Sequence, residues 1–378
     1  MRPHWWIGLV VSAGLQFAAC TDRNPRYRPR VVTDGSSGEG PDVSTTVDAP
    51  ARPDMASDQL PASDSEPPVD AADPDGPPVV PDTSNPDLAA MPDTTPDLPP
   101  DAFVPPAGCG TMTTNVSMVA NADGVVVDTD GVIYTLTDDA TNSYVGRIPP
   151  GGTAEADWLS VDGSPTTWGL ALDSAAQTIY VLVIDGPGAL VRFRGIKAAA
   201  TGDTYYSGIN NGNDVVVGPN GWVYYTQQGD FNVYAILPDR TRRKVSATPV
   251  GSAAQLPAAL TFDPDGNLIV GLEEGPLFRL TLTGGVESGR AQLTGWSGFA
   301  NGLAHDYRGR LYVAQYHDTQ SRTIVRLDIT GNAVTGTTTV ATGGRFSSIA
   351  FGRGPLDCRD LYVADPFGPM RRVRVPGL

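Results

Sequence analysis

Groups that could move a proton or hold a metal are few in this chain. Of its three histidines, His4 falls in an apolar N-terminal stretch, which leaves His305 and His317. His317 stands in Gln315-Tyr316-His317-Asp318, where an imidazole beside a carboxylate is suited to general acid or base work. His317 and Asp318 are therefore the candidate catalytic pair, although a lone loop histidine is also an ordinary solvated side chain. Further carboxylates sit in short polar connections at Asp138, Asp139, Asp185 and the pair Glu273-Glu274. His305 lies within an apolar run and reads as a hydrogen-bonded core residue. Trp168, Tyr205, Tyr206, Trp296 and Tyr316 offer flat faces on which a sugar or aromatic ligand could stack, or with which a rim could pack. A Gly-Lys-Ser/Thr phosphate loop, a His-Glu-x-x-His helix and a Gly-x-Ser-x-Gly elbow are all missing from the sequence. So few histidines and cysteines outside the leader leave no obvious zinc or haem site.

The elements that must position these groups begin after a long preamble. The 378-residue chain carries a formal net charge of −16, and residues 21–106 hold 17 Asp and Glu against 5 Arg. The rest is nearly neutral, with no cluster of Lys and Arg of the kind a nucleic-acid groove needs to displace phosphate counterions. Residues 1–19 read as a secretory signal peptide: Arg2, then Trp5-Trp6-Ile7-Gly8-Leu9-Val10-Val11, ending in Phe17-Ala18-Ala19 before Cys20. The apolar stretch is too short to span about 30 Å of hydrocarbon. Ala18-Ala19-Cys20 resembles a bacterial lipobox, with Phe17 in place of the usual aliphatic residue, and implies cleavage before Cys20 and its acylation. The alternative is an ordinary signal with an incidental cysteine. Residues 20–106 contain 19 of the 34 prolines and two aromatics, Tyr27 and Phe103. They bury too little apolar surface to offset chain entropy and are expected to be a disordered Asp/Pro-rich linker, with a reach of about 50 Å even as a flexible coil. The expectation is an exported protein, lipid-anchored at the outer membrane or cell surface and touching the membrane only through that anchor.

From residue 107 onward the composition turns to Val, Leu, Ile and Tyr runs broken by Asp-Gly, Asn-Gly and Arg-Gly turns, which are strand and hairpin signals. A unit recurs with starts at Asp123, Trp168, Asn213, Ala258, Asn301 and Ser347, spaced 45, 45, 45, 43 and 46 residues apart. The recurring pattern is a polar residue in most copies, a small residue in most copies, an apolar run, a turn usually ending in Gly, and a second apolar strand that usually contains Tyr. A period near 45 with four strands per unit is what a β-propeller requires, since one blade cannot bury both faces alone. The chain is thus expected to be all-β, a six-bladed β-propeller over residues 107–378 and a monomer; a pair of β-sandwiches explains strands but not the constant period. Counting offsets assigns residues 111–119 to the outermost strand of the sixth blade, so that the chain ends lace together. It also puts Cys109 and Cys358 on one face of the ring, and in an exported protein the pair is expected to form a disulfide, the alternative being two buried thiols.

Three phrases carry a resemblance. Asn213-Asp214 ahead of Gly218-Pro219-Asn220-Gly221, Asn301-Gly302-Leu303 ahead of Arg308-Gly309-Arg310-Leu311-Tyr312-Val313-Ala314, and Phe351-Gly352 ahead of Asp360-Leu361-Tyr362-Val363 resemble the SMP-30/gluconolactonase-like family of six-bladed propellers across residues 110–378. The resemblance implies a divalent cation, usually Ca²⁺, at one mouth of the channel, held by the first residues of several inner strands. The family's ligands there are Glu, Asn, Asn and Asp; this chain carries Asp123, Asn213, Ala258 and Asn301. Asp123, Asn213 and Asn301 are therefore the implied metal ligands, with one oxygen missing at Ala258 and a charge missing at Asn301. Ca²⁺ accepts amide, carbonyl and water oxygens, so the set predicts weak binding. The implied chemistry is metal-assisted hydrolysis of small lactones or esters. Asn301 cannot serve as the base, and His317 with Asp318, on a loop expected to open at the same mouth, is the replacement. The rival expectations are a non-catalytic propeller that binds a glycan, peptide or protein partner at the envelope, and a purely structural surface component.

Overall fold

The computed structural model describes residues 109–117, 119–139, 142–161, 166–316 and 322–378. The expected signal peptide, Cys20 and the expected linker, with His317 and Asp318, lie outside the described residues. The described residues contain no helix and form 23 strands arranged as six consecutive antiparallel meanders. The first comprises β1 (Ala122–Val127), β2 (Ile133–Asp138), β3 (Ser143–Ile148) and β4 (Glu155–Val161). The second comprises β5 (Thr167–Asp173), β6 (Thr178–Val183), β7 (Ala189–Arg194) and β8 (Thr201–Ser207). The third comprises β9 (Gly212–Val217), β10 (Val223–Gln227), β11 (Asn232–Ile236) and β12 (Arg242–Lys244). The fourth comprises β13 (Pro257–Phe262), β14 (Leu268–Leu272), β15 (Gly275–Thr283) and β16 (Val286–Gly298). The fifth comprises β17 (Gly302–His305), β18 (Leu311–Tyr316), β19 (Arg322–Thr330) and β20 (Ala333–Thr342). The last has three strands, β21 (Ser348–Phe351), β22 (Asp360–Ala364) and β23 (Arg371–Arg374).

The first strands β1, β5, β9, β13, β17 and β21 neighbour one another in that order, and β21 returns to β1. Six apolar clusters fill the spaces between successive meanders, including one between the last and the first. The architecture is propeller-like, with the core lying between sheets rather than within one. Small residues at the second position of the repeat are required by this crowding: a Cβ on Gly124 would lie 2.9 Å from Leu170 Cβ, and one on Gly302 would lie 2.8 Å from the Ser347 carbonyl oxygen.

The turn from first to second strand explains the rest of the repeat. Asp128 Oδ1 accepts the N–H groups of Asp130 and Val132 at 2.9 and 2.8 Å. Asp263 does the same for Asp265 and Asn267, and Asp306 for Arg308 and Arg310. The carboxylate replaces the partners that the turn amides would otherwise lack. The glycine that follows is left-handed in every such turn, with φ of 78° at Gly131, 79° at Gly266 and 75° at Gly309, a conformation only glycine adopts without strain. We call this end the lower rim, and the end where first strands begin the upper mouth.

Two expectations need correction. Residues 111–119 do not form an outer strand. Asn115 Oδ1 accepts the Ser117 N–H at 3.1 Å and Val119 N–H bonds to the Val116 carbonyl, and this turn aims Val116 and Val119 together into the cluster between the last and first meanders. The segment still ties the ends of the ring, through isolated bridges of Met112 with Leu356 and Ala120 with Pro369. Nor are all the sheets separate. β16 runs for 13 residues and β20 for 10, long enough that Thr294 pairs with Ala333 and merges the fourth and fifth meanders into one eight-stranded sheet. The expected Cys109–Cys358 disulfide is present at the lower rim and joins residues 249 apart.

Candidate functional site at the upper mouth

The upper mouth is built by distortion of the first strands. Register shifts interrupt the pairing at the start of β1, β5, β9 and β13, at Ala122/Val125, Thr167/Gly169, Gly212/Val215 and Pro257/Leu260. A bulge of this kind turns a side chain that would otherwise enter the core. The residues at or beside these shifts are Asp123, Trp168, Asn213 and Ala258, the starts of the sequence repeat. Asp123, Trp168, Asn213, Asp214, Asn301 and Ser347 surround a single small cavity of about 10 Å³, close to the space of one water. The three residues singled out as metal ligands are therefore brought together, from positions about 90 residues apart in the chain.

Their surroundings differ. Asn213 is buried, with Nδ2 3.5 Å from Glu273 Oε1, which also accepts Gln228 Nε2 at 2.9 Å. Asn301 is buried, and its Oδ1 accepts the Tyr316 N–H at 3.3 Å. Asp123 is half-buried, and its carbonyl accepts the Ser347 hydroxyl at 2.8 Å. Ala258 is fully buried and offers only its backbone carbonyl, which accepts Thr226 Oγ1 at 3.0 Å. Asp214 would be a natural second carboxylate, but Oδ1 takes the Val215 N–H and Oδ2 the Leu260 N–H, at 2.8 and 2.7 Å. It staples β9 to β13.

Among the described residues no three His, Cys, Asp or Glu side chains gather as a metal cluster. The oxygen set at the mouth is one carboxylate, Asp123, with the amides of Asn213 and Asn301. That chemistry fits a hard cation with several water ligands, held with little charge compensation.

The remaining candidates divide. Tyr316 ends β18, and its N–H donates to Asn301 Oδ1; His317 and Asp318, the candidate catalytic pair, lie outside the described residues. Glu273 borders the mouth through Asn213; Asp139 is engaged by Tyr144 and Asn142, and Asp138 by Ser143. Trp168 lines the cavity. Tyr205 and Trp296 are packed in the clusters between meanders, and the Tyr205 hydroxyl bonds to the Leu237 carbonyl at 2.8 Å, so neither offers a free face. His305 closes β17 at the opposite end, where desolvation holds its pKa down at about 4 despite nearby Asp263 and Asp306. Ser347 was legible as the sixth repeat start, but only the fold shows that it joins the mouth.

No protein-family model matches the chain, and no curated protein matches it. Solved structures do resemble it. A Bacteroides thetaiotaomicron protein of unknown function aligns with a TM-score of 0.51 at 13% identity, over 70% of each chain. A gluconolactonase-like protein aligns with a TM-score of 0.50 at 16% identity, over 72% of this chain and 93% of its own. A PQQ-bound aldose sugar dehydrogenase from Streptomyces coelicolor aligns with a TM-score of 0.50 at 15% identity, over 72% of this chain and all of its own. At such identities the likeness establishes the fold alone.

Proposed function

We propose that the six meanders are the blades of an SMP-30/gluconolactonase-like propeller, and that its upper mouth takes a small lactone or ester for hydrolysis assisted by Ca²⁺ or another divalent cation. The convergence of Asp123, Asn213 and Asn301 on one cavity carries this reading. These three side chains would hold the cation, which when bound would polarise a carbonyl oxygen. Asp123 supplies the charge; Asn213 is oriented by Glu273 and Gln228. His317 and Asp318 are the proposed proton-transfer pair. The protein would be an exported lipoprotein, acylated at Cys20 and carried on the acidic linker at the outer membrane or cell surface.

Calcium should raise the melting temperature of the full-length protein and the rise should vanish in Asp123→Ala. Hydrolysis of lactones and aryl esters should then fall on chelation and in His317→Ala. An unchanged melt in excess calcium refutes the metal reading. Cys20→Ser should release the protein from membranes.

A second reading is favoured by Ala258, which withholds a donor, and by the engagement of Asn301 Oδ1 with backbone. It is a non-catalytic propeller that binds a glycan, peptide or protein partner at the same mouth. Calcium-independent binding without turnover would select it.

A further inference from the structure

The last meander stops one strand short. Every other meander has four strands, whereas here the fourth place is empty and β23 pairs with β22 alone. The consequence shows in burial: the other third strands, β3, β7, β11, β15 and β19, all contain buried residues, and β23 contains none. Because the Val375 N–H bonds to the Arg359 carbonyl, alternation along the antiparallel ladder turns the N–H and C=O groups of Arg372 and Arg374 away from β22. Among the described residues no hydrogen bond reaches those four groups.

This edge is basic, and the chain that precedes the ring is acidic. Residues 343–378 carry six Arg and three Asp, while residues 53–108 carry 12 Asp and Glu and no Lys or Arg. Arg371, Arg372 and Arg374 face Asp365, Asp360 and Asp357 on their inner side, yet each keeps more than a third of its side chain exposed. Val373 lies half-buried between them, against the cluster that separates the fifth and last meanders. Edge arginines repel the same edge of a second copy, so the fitting occupant is an acidic strand. One is tethered close by. Cys109 is fixed to Cys358 with Cα atoms 5.3 Å apart, and Arg359, next in the chain, is the partner of Val375 just below β23. Ahead of Cys109 the sequence reads Asp101-Ala102-Phe103-Val104, then Pro105-Pro106-Ala107-Gly108. The five steps from Val104 to Cys109 span up to about 17 Å, enough to cross two strand spacings of about 5 Å each. So short a tether holds the segment beside the edge at roughly millimolar effective concentration, which favours it over a free partner.

We propose that residues 101–104 add the missing fourth strand to the last meander, running parallel to β23. The direction follows from the anchor: β23 descends to the lower rim, and a segment that ends at Cys109 descends with it. The two stretches are of equal length, and in that register Asp101 stands beside Arg371, and Phe103 beside Val373 and its apolar cluster. The Arg372 N–H then bonds to the Asp101 carbonyl, and the Arg372 carbonyl accepts the Phe103 N–H. Phe103 is one of only two aromatic residues in 20–106, and this pairing gives it a place. Pro105 and Pro106 cannot continue the ladder and end the strand at the lower rim. So short an edge pair opens readily, and under load it yields before the cystine.

The test reads hydrogen exchange of the β23 amides in the full-length protein, with the amides of β10 in the same molecules as the folded reference. The Arg372 and Arg374 amides should exchange slower by about tenfold or more in wild type than in Phe103→Pro, which removes a donor from the added strand. Asp101→Lys should lose part of the protection, and its difference from wild type should shrink in high salt. Leu60→Pro, far up the chain from Cys109, should match wild type, and β10 should be unchanged in all three variants. If Phe103→Pro disturbs β10, Asp101→Lys decides alone. Unprotected Arg372 and Arg374 amides in wild type, protection equal in wild type and in the deciding variant, or protection that rises with protein concentration alongside a dimer in sedimentation, which would hand the edge to a second copy, would each overturn the proposal.

Discussion

The lower rim and the upper mouth are made by the two ends of the same strands, yet they use their polar residues in opposite ways. At the lower rim, Asp128, Asp263, Asp306 and Asp357 are all buried, and each bonds to the amides of its own turn. At the mouth the six equivalent positions read Asp123, Trp168, Asn213, Ala258, Asn301 and Ser347, and no two neighbours are alike. A turn carboxylate serves its own meander and has the same task in each copy that carries it, so it recurs, although the third copy has Gly218 in that place. A mouth residue faces a space shared by all copies and need not repeat. The repetition holds the fold together, and departures from it mark the site.

If this division is right, changes at the lower rim should cost stability and changes at the mouth should cost ligand response. The largest loss is expected from Cys109→Ser with Cys358→Ser. Freeing a loop of 249 residues should lower unfolding free energy by up to about 5 kcal/mol in denaturant titration. Asp306→Ala comes next. It strands the amides of Arg308 and Arg310, the Arg310 guanidinium and the buried Tyr312 hydroxyl, and should cost about 3–4 kcal/mol; Asp306→Asn, which keeps one acceptor, should cost less than half of that.

His305 gives a pH test. Its pKa in the folded protein is about 4, below the ordinary 6.5. The unfolded chain therefore binds the proton first, and the stability contributed by the neutral imidazole is present above pH 6.5 and lost as pH falls towards 4. Wild type should lose up to about 3 kcal/mol more than His305→Gln across that interval, read from urea midpoints at successive pH values. The smallest effect belongs to the mouth: Asp123→Ala should change stability in metal-free buffer by less than about 1 kcal/mol. A loss there as large as that of Asp306→Ala would erase the distinction between the two ends.

Much of this was written locally in the sequence. The repeat starts, the left-handed glycines and the turn aspartates are each decided within a few residues, so the six units and the gathering of Asp123, Asn213 and Asn301 could be read from spacing. The disulfide followed from the same count. What was not legible depends on encounters between distant segments or on a competing local turn. Residues 111–119 have strand composition, but the Asn115–Ser117 turn decides their path. The joining of β16 to β20 comes from two long hairpins reaching each other at Thr294 and Ala333.

The covalent tie at the lower rim also determines where mechanical load would travel. Tension applied to the chain ahead of Cys109 enters the body at that residue and passes through sulfur to Cys358, between β21 and β22. β1 lies beyond this junction and is shielded from peeling. With the cystine intact, a tug from the N-terminal side is borne by the last meander, while Asp123 and its neighbours keep their arrangement; in reducing conditions the same tug would first strip Gly110, Met112 and Asn121 from their backbone partners in the last meander and then reach β1.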